Sequence, residues 1–243
     1  MVYLKKFLDL GVLIMTTGIL YVLHGRREKI VPANLALIQD LQERYAVPQS
    51  IGFLEGDQQT LEASVEKLRP QVTHLIVVPI LIFAATHVRW DLPRRLQACC
   101  GTKITFELTP PLGLTQAVYE FLQQQLQQGL RQRPTATPVL VAHGTGHFSE
   151  PLAQLESIAQ RLSTALQTSV LCGNYIGAAK VPEVLAQQAT PLLVQPLFLT
   201  DGRIVHKIQQ AILKDHPQST FLPTLEDQPA LKAAIAERID AIL

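Results

Sequence analysis

Three short stretches of this chain place reactive side chains directly after aliphatic runs. Residues 19–25 read ILYVLHG, residues 51–57 read IGFLEGD, and residues 74–93 read HLIVVPILIFAATHVRWDLP. They end in His24, Glu55 and His87, with Arg26 and Arg27 following the first histidine and Arg89 the second. Imidazole suits borderline divalent cations such as iron, cobalt, nickel and zinc, and an added carboxylate tolerates iron or cobalt. Gly25 lets the backbone approach a flat ligand closely. A single histidine at a strand end is ordinarily a polar terminus, because metal sites are built from clusters. Two histidines and a glutamate from three strand ends make such a cluster, although their spacing matches no standard metal motif. HExxH, GxxxxGK[ST], GxGxxG and GxSxG are all missing from the sequence. The residues by themselves therefore reach a metal-capable polar cleft and stop there.

The elements that must position these groups are written twice. ILYVLHG at 19–25 returns as VLVAHG at 139–144, and VVPILIF at 77–83 returns as VQPLFL at 194–199. The His-Gly pairs lie 119 positions apart (24 and 143) and the prolines 117 apart (79 and 196). Short Val/Ile/Leu runs without alternation suit strands covered on both faces, as in a parallel sheet. The pattern predicts strands at 19–24, 49–54, 74–82 and 103–109, repeated near 139–143, 169–173, 191–199 and 219–223. Helices are expected at 32–45, 58–69, 91–99 and 115–130, and again near 150–167, 179–189, 203–214 and 227–241. Strands alternating with helices indicate right-handed βαβ units. The fold class is α/β, with two similar lobes at 15–130 and 138–243, each a small parallel β-sheet flanked by helices. The Pro/Thr-rich segment ending at 138 links them. Ligands of such sheets bind at the carboxyl ends of the strands, where His24, Glu55 and His87 are expected.

Composition narrows the function. The chain has 243 residues, a net charge of +1 and 47% hydrophobic residues, a globular balance without the basic excess of a nucleic-acid binder. Cys99, Cys100 and Cys172 form no CxxC pair and read as packed free thiols of a reducing compartment. Lys5 and Lys6 precede an apolar stretch that faintly resembles a signal peptide, but Asp9 interrupts it and no small-x-small site follows. Residues 1–14 are read as a leader or start-site artefact, with Met15 as the start. No apolar run reaches the roughly 20 residues of a membrane helix, so a cytoplasmic protein with neither membrane nor nucleic-acid partner is expected.

LYVLHGRRE, FLEGDQQTLEASVEKL and THLIVVPILIFAATHVRWDLP together resemble the sirohydrochlorin chelatase family. These are the class II chelatases of sirohaem and cobalamin synthesis, and the long two-lobe form is the better match. Val78-Pro79-Ile80-Leu81, Ala85-Thr86-His87-Val88 and Asp91-Leu92-Pro93 follow the family pattern. The resemblance runs from about residue 18 to the end. It implies a lyase that inserts a divalent metal, Fe2+ or Co2+, into the tetrapyrrole sirohydrochlorin without ATP and with no cofactor beyond that metal. It implies that His24 and His87 bind the metal and help remove pyrrole protons, with Glu55 as an acidic ligand. It also implies a hand-off of tetrapyrrole from or to other enzymes of the pathway. Arg26, Arg27, Lys29 and Arg89 are natural partners for substrate carboxylates, because arginine pairs them bidentately; a solvated basic rim is the plainer reading. Trp90 either flanks the macrocycle or packs at a helix start. The chain departs from the family in one place, His-Gly-Arg-Arg where His-Gly-Ser-Arg is usual, which bears on pocket shape and substrate hold.

The second lobe departs further. His143-Gly144-Thr145-Gly146-His147 places two histidines four apart, but Gly146 and Pro151 make this a turn, so no helical face joins them. Ile204 stands where His87 does in the first copy, and His206 falls inside the next helix. The lobe is expected to close the cleft, with Asp201, Arg203 and Lys207 lining it and at most an auxiliary metal contact. Other readings are cobalt or nickel insertion into the same macrocycle, porphyrin ferrochelation, a non-catalytic metal or tetrapyrrole carrier, and a two-lobe binder of sugars or amino acids.

Overall fold

The computed structural model describes residues 16–25, 31–84 and 87–243, with the side chains of His87 and Val88 outside that description. Arg26, Arg27 and Lys29, and the expected leader at 1–14, also lie outside it. Within these residues the first half contains β1 (Thr17–Leu23), α1 (Pro32–Gln42), β2 (Gln49–Phe53), α2 (Leu61–Leu68) and β3 (His74–Ile80). A π-helical turn (His87–Asp91), α3 (Leu92–Cys100), β4 (Thr105–Leu108), a 3-10 turn (Leu112–Leu114) and α4 (Gln116–Gln132) complete it. The second half repeats the order with β5 (Thr137–Ala142), α5 (Glu150–Leu166), β6 (Leu171–Asn174), α6 (Val181–Leu185), β7 (Leu192–Pro196), α7 (Arg203–Asp215), β8 (Thr220–Phe221) and α8 (Pro229–Asp240).

Every expected strand and helix is present, most of them shorter than expected. The two sheets are all-parallel and have the same order, β2-β1-β3-β4 and β6-β5-β7-β8. Their prolines hold equivalent places, Pro79 opposite Val22 and Pro196 opposite Val141. Proline opens α1, α3, α5, α6 and α8 within their first two positions, where its missing N–H breaks no intrahelical bond. Thr60 and Thr115 cap α2 and α4, each side-chain oxygen accepting from a backbone N–H of the first turn.

Alternation along each strand decides which residues face which layer. Ile19, Tyr21 and Leu23 on β1, and Ile76, Val78 and Ile80 on β3, join Leu140, Ala142 and Leu193 of the other sheet in one buried cluster. Helices α1, α4, α5 and α8 fill the space between. Leu20, Val22, Leu75 and Val77 face the opposite way, under α2 and α3, and Val139, Val141, Leu192 and Val194 lie under α6 and α7. The two lobes thus share one continuous core.

The last helix of each half crosses to the other. Helix α4 packs on β7, and α8 packs on β3 and α4. Gly129 permits the first contact, since a Cβ there would stand 2.7 Å from Leu193 Cδ2. The second is held by polar ties. Glu237 accepts from the N–H groups of Gln116 (2.9 Å) and Ala117 (3.2 Å), capping α4. Arg238 donates twice to the Pro111 carbonyl, and Asp240 accepts from Arg44 (2.6 Å) and Tyr45 (2.7 Å). Among the described residues no helix is long and apolar enough to cross a membrane.

Candidate active site

The carboxyl ends of β1 and β2 meet as the sequence predicts. The Leu54 and Glu55 N–H groups donate to the carbonyls of Leu23 (3.0 Å) and Gly25 (3.1 Å), binding the two strand ends side by side. This sets His24 Nε2 3.5 Å from Glu55 Oε1, with both side chains a little under half exposed. An imidazole beside a carboxylate, open to solvent, can accept a divalent cation or a proton.

The third member of the expected cluster arrives by a different route. Strand β3 stops at Ile80 rather than 82, and His87 lies in the π-helical turn that opens α3, not at a strand end. The chain leaves the sheet because the Leu81 and Ile82 carbonyls accept from the N–H groups of Leu112 and Gly113, both at 2.8 Å. Gly113 permits this approach, since a Cβ there would lie 2.5 Å from the Ile82 oxygen. π-Helical turns occur often at functional sites. Among the described residues, no three His, Cys, Asp or Glu side chains gather to hold a metal, and the His24–Glu55–His87 set lies partly outside them.

Arg95, a residue the sequence reading passed over, links these pieces. From α3 it holds Glu62 bidentately (2.7 and 2.9 Å) and donates to the Leu54 carbonyl (2.8 Å), next to Glu55. Its hydrogen bonds hold the Glu62 carboxyl below the usual carboxylate range against the opposing effect of burial. Asp91, 3.7 Å away and four residues earlier, completes the contact. That Asp-x-x-x-Arg spacing on a helix was the available signal.

Between the lobes lies a cleft of about 570 Å3. Lobe one contributes His24, Asn34 and Leu81–Phe83, and lobe two contributes His143–Thr145, Ile176, Phe198–Thr200 and Ile204. The expected lining by Asp201, Arg203 and Lys207 is corrected. The wall is mostly apolar there, and Asp201 instead pairs with His206 at 3.5 Å. Asn34, 6% exposed on α1, stitches the floor by donating to the Leu199 carbonyl (2.8 Å) and accepting from the Asp227 N–H (3.1 Å). Arg89 reaches lobe two, pairing with Glu150 and stacking over Phe148 with its guanidinium carbon 5.2 Å from the ring centre. Trp90 is not packed at the helix start but 68% exposed. The three cysteines are free; Cys100 is buried, and burial pushes the Cys172 thiol up to about 11.

Two parallel α/β lobes closing on a cleft at their strand ends form a fold shared with solved chelatase structures. SirB from Bacillus subtilis with Fe3+ superposes with a TM-score of 0.81 at 23% identity, covering 93% of this chain and 95% of that one. CbiX, described as the terminal enzyme for siroheme biosynthesis in denitrifying bacteria, gives 0.69 at 23% identity over 93% and 99%. In sequence, the sirohydrochlorin ferrochelatase of Bacillus subtilis is 24% identical over 93% of this chain and 91% of its own length. The sirohydrochlorin cobaltochelatase of Sulfurisphaera tokodaii is 31% identical over 47% of this chain and 94% of its own length. The CbiX family matches residues 18–129 and again 137–242, and the chain belongs to that family.

Proposed function

We propose that this protein inserts a divalent metal, Fe2+ or Co2+, into sirohydrochlorin. The observation that carries the reading is the His24–Glu55 pair at 3.5 Å on the lip of the interlobe cleft, in a chain whose two halves both match the family. The relatives named for iron insertion and for cobalt insertion support the reaction without choosing the metal, since one N/O ligand set binds both. A cleft of about 570 Å3 lies within the roughly 300–1,000 Å3 usual for ligand sites. Its apolar walls suit the macrocycle, and Arg26 and Arg27, which follow His24 and Gly25 in sequence, are the counter-charges proposed for its peripheral carboxylates.

In this reading His24 and His87 receive the metal, Glu55 balances its charge, and the histidines take up pyrrole protons as the ring nitrogens bind it. Arg89, already bound to Glu150, exchanges that carboxylate for one from the substrate. No bound cofactor or nucleotide is required, and tetrapyrrole passes to or from neighbouring enzymes of the pathway.

The test is anaerobic: purified protein, sirohydrochlorin and either Fe2+ or Co2+, following the macrocycle absorbance. Insertion above the spontaneous rate, abolished in His24→Ala and His87→Ala, is expected. A stoichiometric spectral change without turnover would make the protein a carrier instead.

A further inference from the structure

The second His-Gly turn has no part in that scheme. His143 follows β5 as His24 follows β1, and the next glycine is left-handed in both, with φ +73° at Gly144 and +87° at Gly25. Both imidazoles line the same cleft, from opposite lobes. Their neighbours differ. Glu55 stands two residues beyond Phe53, the partner of Leu23, whereas the matching residue two beyond Asn174, the partner of Ala142, is Ile176. Ile176 also lines the cleft, so lobe two has an aliphatic side chain where lobe one has its anion. A hard or borderline cation favours oxygen donors beside imidazole, and the second histidine lacks that companion.

The hydrogen bonding of His143 defines which nitrogen is reactive. Nδ1 lies 2.9 Å from the Gly144 carbonyl oxygen. A carbonyl only accepts, so Nδ1 carries the proton and Nε2 presents a lone pair. The Tyr175 ring packs beside the imidazole, 6.1 Å between centres and tilted by 52°.

We infer that His143 is the proton acceptor of lobe two, taking a pyrrole proton from the macrocycle face opposite the incoming metal. A flat ring lodged between the lobes presents one face to each. As the metal enters from lobe one, a ring N–H bond breaks and its electron pair becomes the nitrogen–metal bond. That proton passes to His143 Nε2 and then to water in the open cleft, while the second leaves to the lobe-one histidines. One dication enters and two protons depart. This inference rests on the chelatase reading.

The experiment loads wild type, His143→Ala and His143→Gln with sirohydrochlorin and mixes each rapidly with Co2+ under anaerobic conditions. Affinities for macrocycle alone and for Co2+ alone are measured in parallel. Expected is a loss of about 100-fold in single-turnover insertion in both variants, the low end for a positioned base, with both affinities within about twofold of wild type. Free imidazole should restore part of the rate in His143→Ala. An unchanged rate, a rise in KM alone, or a rate loss that imidazole does not relieve would overturn the inference. Weakened Co2+ binding would make His143 a metal ligand and overturn it too. Absence of insertion by wild type is a separate result, which removes the chelatase reading and this inference with it.

Discussion

Glu55 and His24 stand 3.5 Å apart, close enough for the carboxylate to share a cation with the imidazole. Glu55→Gln keeps the shape and removes the charge. It should lower Co2+ affinity by roughly 10- to 100-fold, as loss of a supporting metal-site group does, measured by titrating Co2+ against the protein without macrocycle. Arg95 governs a second, pH-dependent effect. It holds the Glu62 carboxyl below its unfolded value, so this pair stabilises the fold above the ordinary carboxylate range and loses its effect as pH falls through the lowered folded value. Glu62→Gln should therefore melt below wild type at pH 7, with the gap closing as pH falls through and below the ordinary carboxylate range. Thermal melts of the two proteins across that range check it; a constant gap would rule the pair out.

At the scale of elements, the His-Gly turns explain why two similar stretches tolerate different changes. A Cβ on Gly144 would overlap the Ile176 carbonyl and stand 2.6 Å from Asn174 Cβ, whereas one on Gly25 meets nothing within 4 Å among the described residues. Gly25→Ala should cost about 1 kcal/mol of left-handed strain. Gly144→Ala should cost about 3 kcal/mol once the clash is added, and melt roughly 5–10 °C lower. Equal melting temperatures for the two variants would mean that β6 moves aside. The turns were legible beforehand, because a histidine and glycine after an unbroken aliphatic run can be read directly. The position of His87 was not. LIVVPILIF continues greasy beyond Ile80, and nothing local reveals that Leu112 and Gly113, some thirty residues later, capture its carbonyls. Asn34 stayed hidden for the same reason, since its partners Leu199 and Asp227 are distant in sequence, and the local spacing of Arg95 from Asp91 does not reveal its distant partner Leu54.

Across the whole molecule, the duplication is visible in sequence but the way the copies embrace is not. Repeats at 19–25 and 139–144 predict two like sheets. They do not tell that α4 and α8 trade places, because an amphipathic helix carries no label for which sheet it covers. The Arg89–Glu150 pair spans the lobes at the cleft mouth, with both side chains at least one-third exposed. A double-mutant cycle on Arg89→Ala and Glu150→Ala should give a coupling of at most about 1 kcal/mol, read from denaturant unfolding. A pair that weak can yield to a carboxylate-bearing substrate; a coupling of several kcal/mol would mean that Arg89 is structural.

The crossing of α4 and α8 also sets what the peptide bonds between the halves are worth. Residues 131–135 are exposed, and each half has its final helix lodged on its neighbour's sheet. The connecting segment then acts mainly as a tether that keeps two interlocked partners at high local concentration. Cut there by a protease, the chain should still elute as one particle of unchanged size and melt in one step, although a denaturing gel shows two pieces. Fragments that drift apart in plain buffer would show that covalent continuity, rather than the mutual clasp, holds the cleft closed.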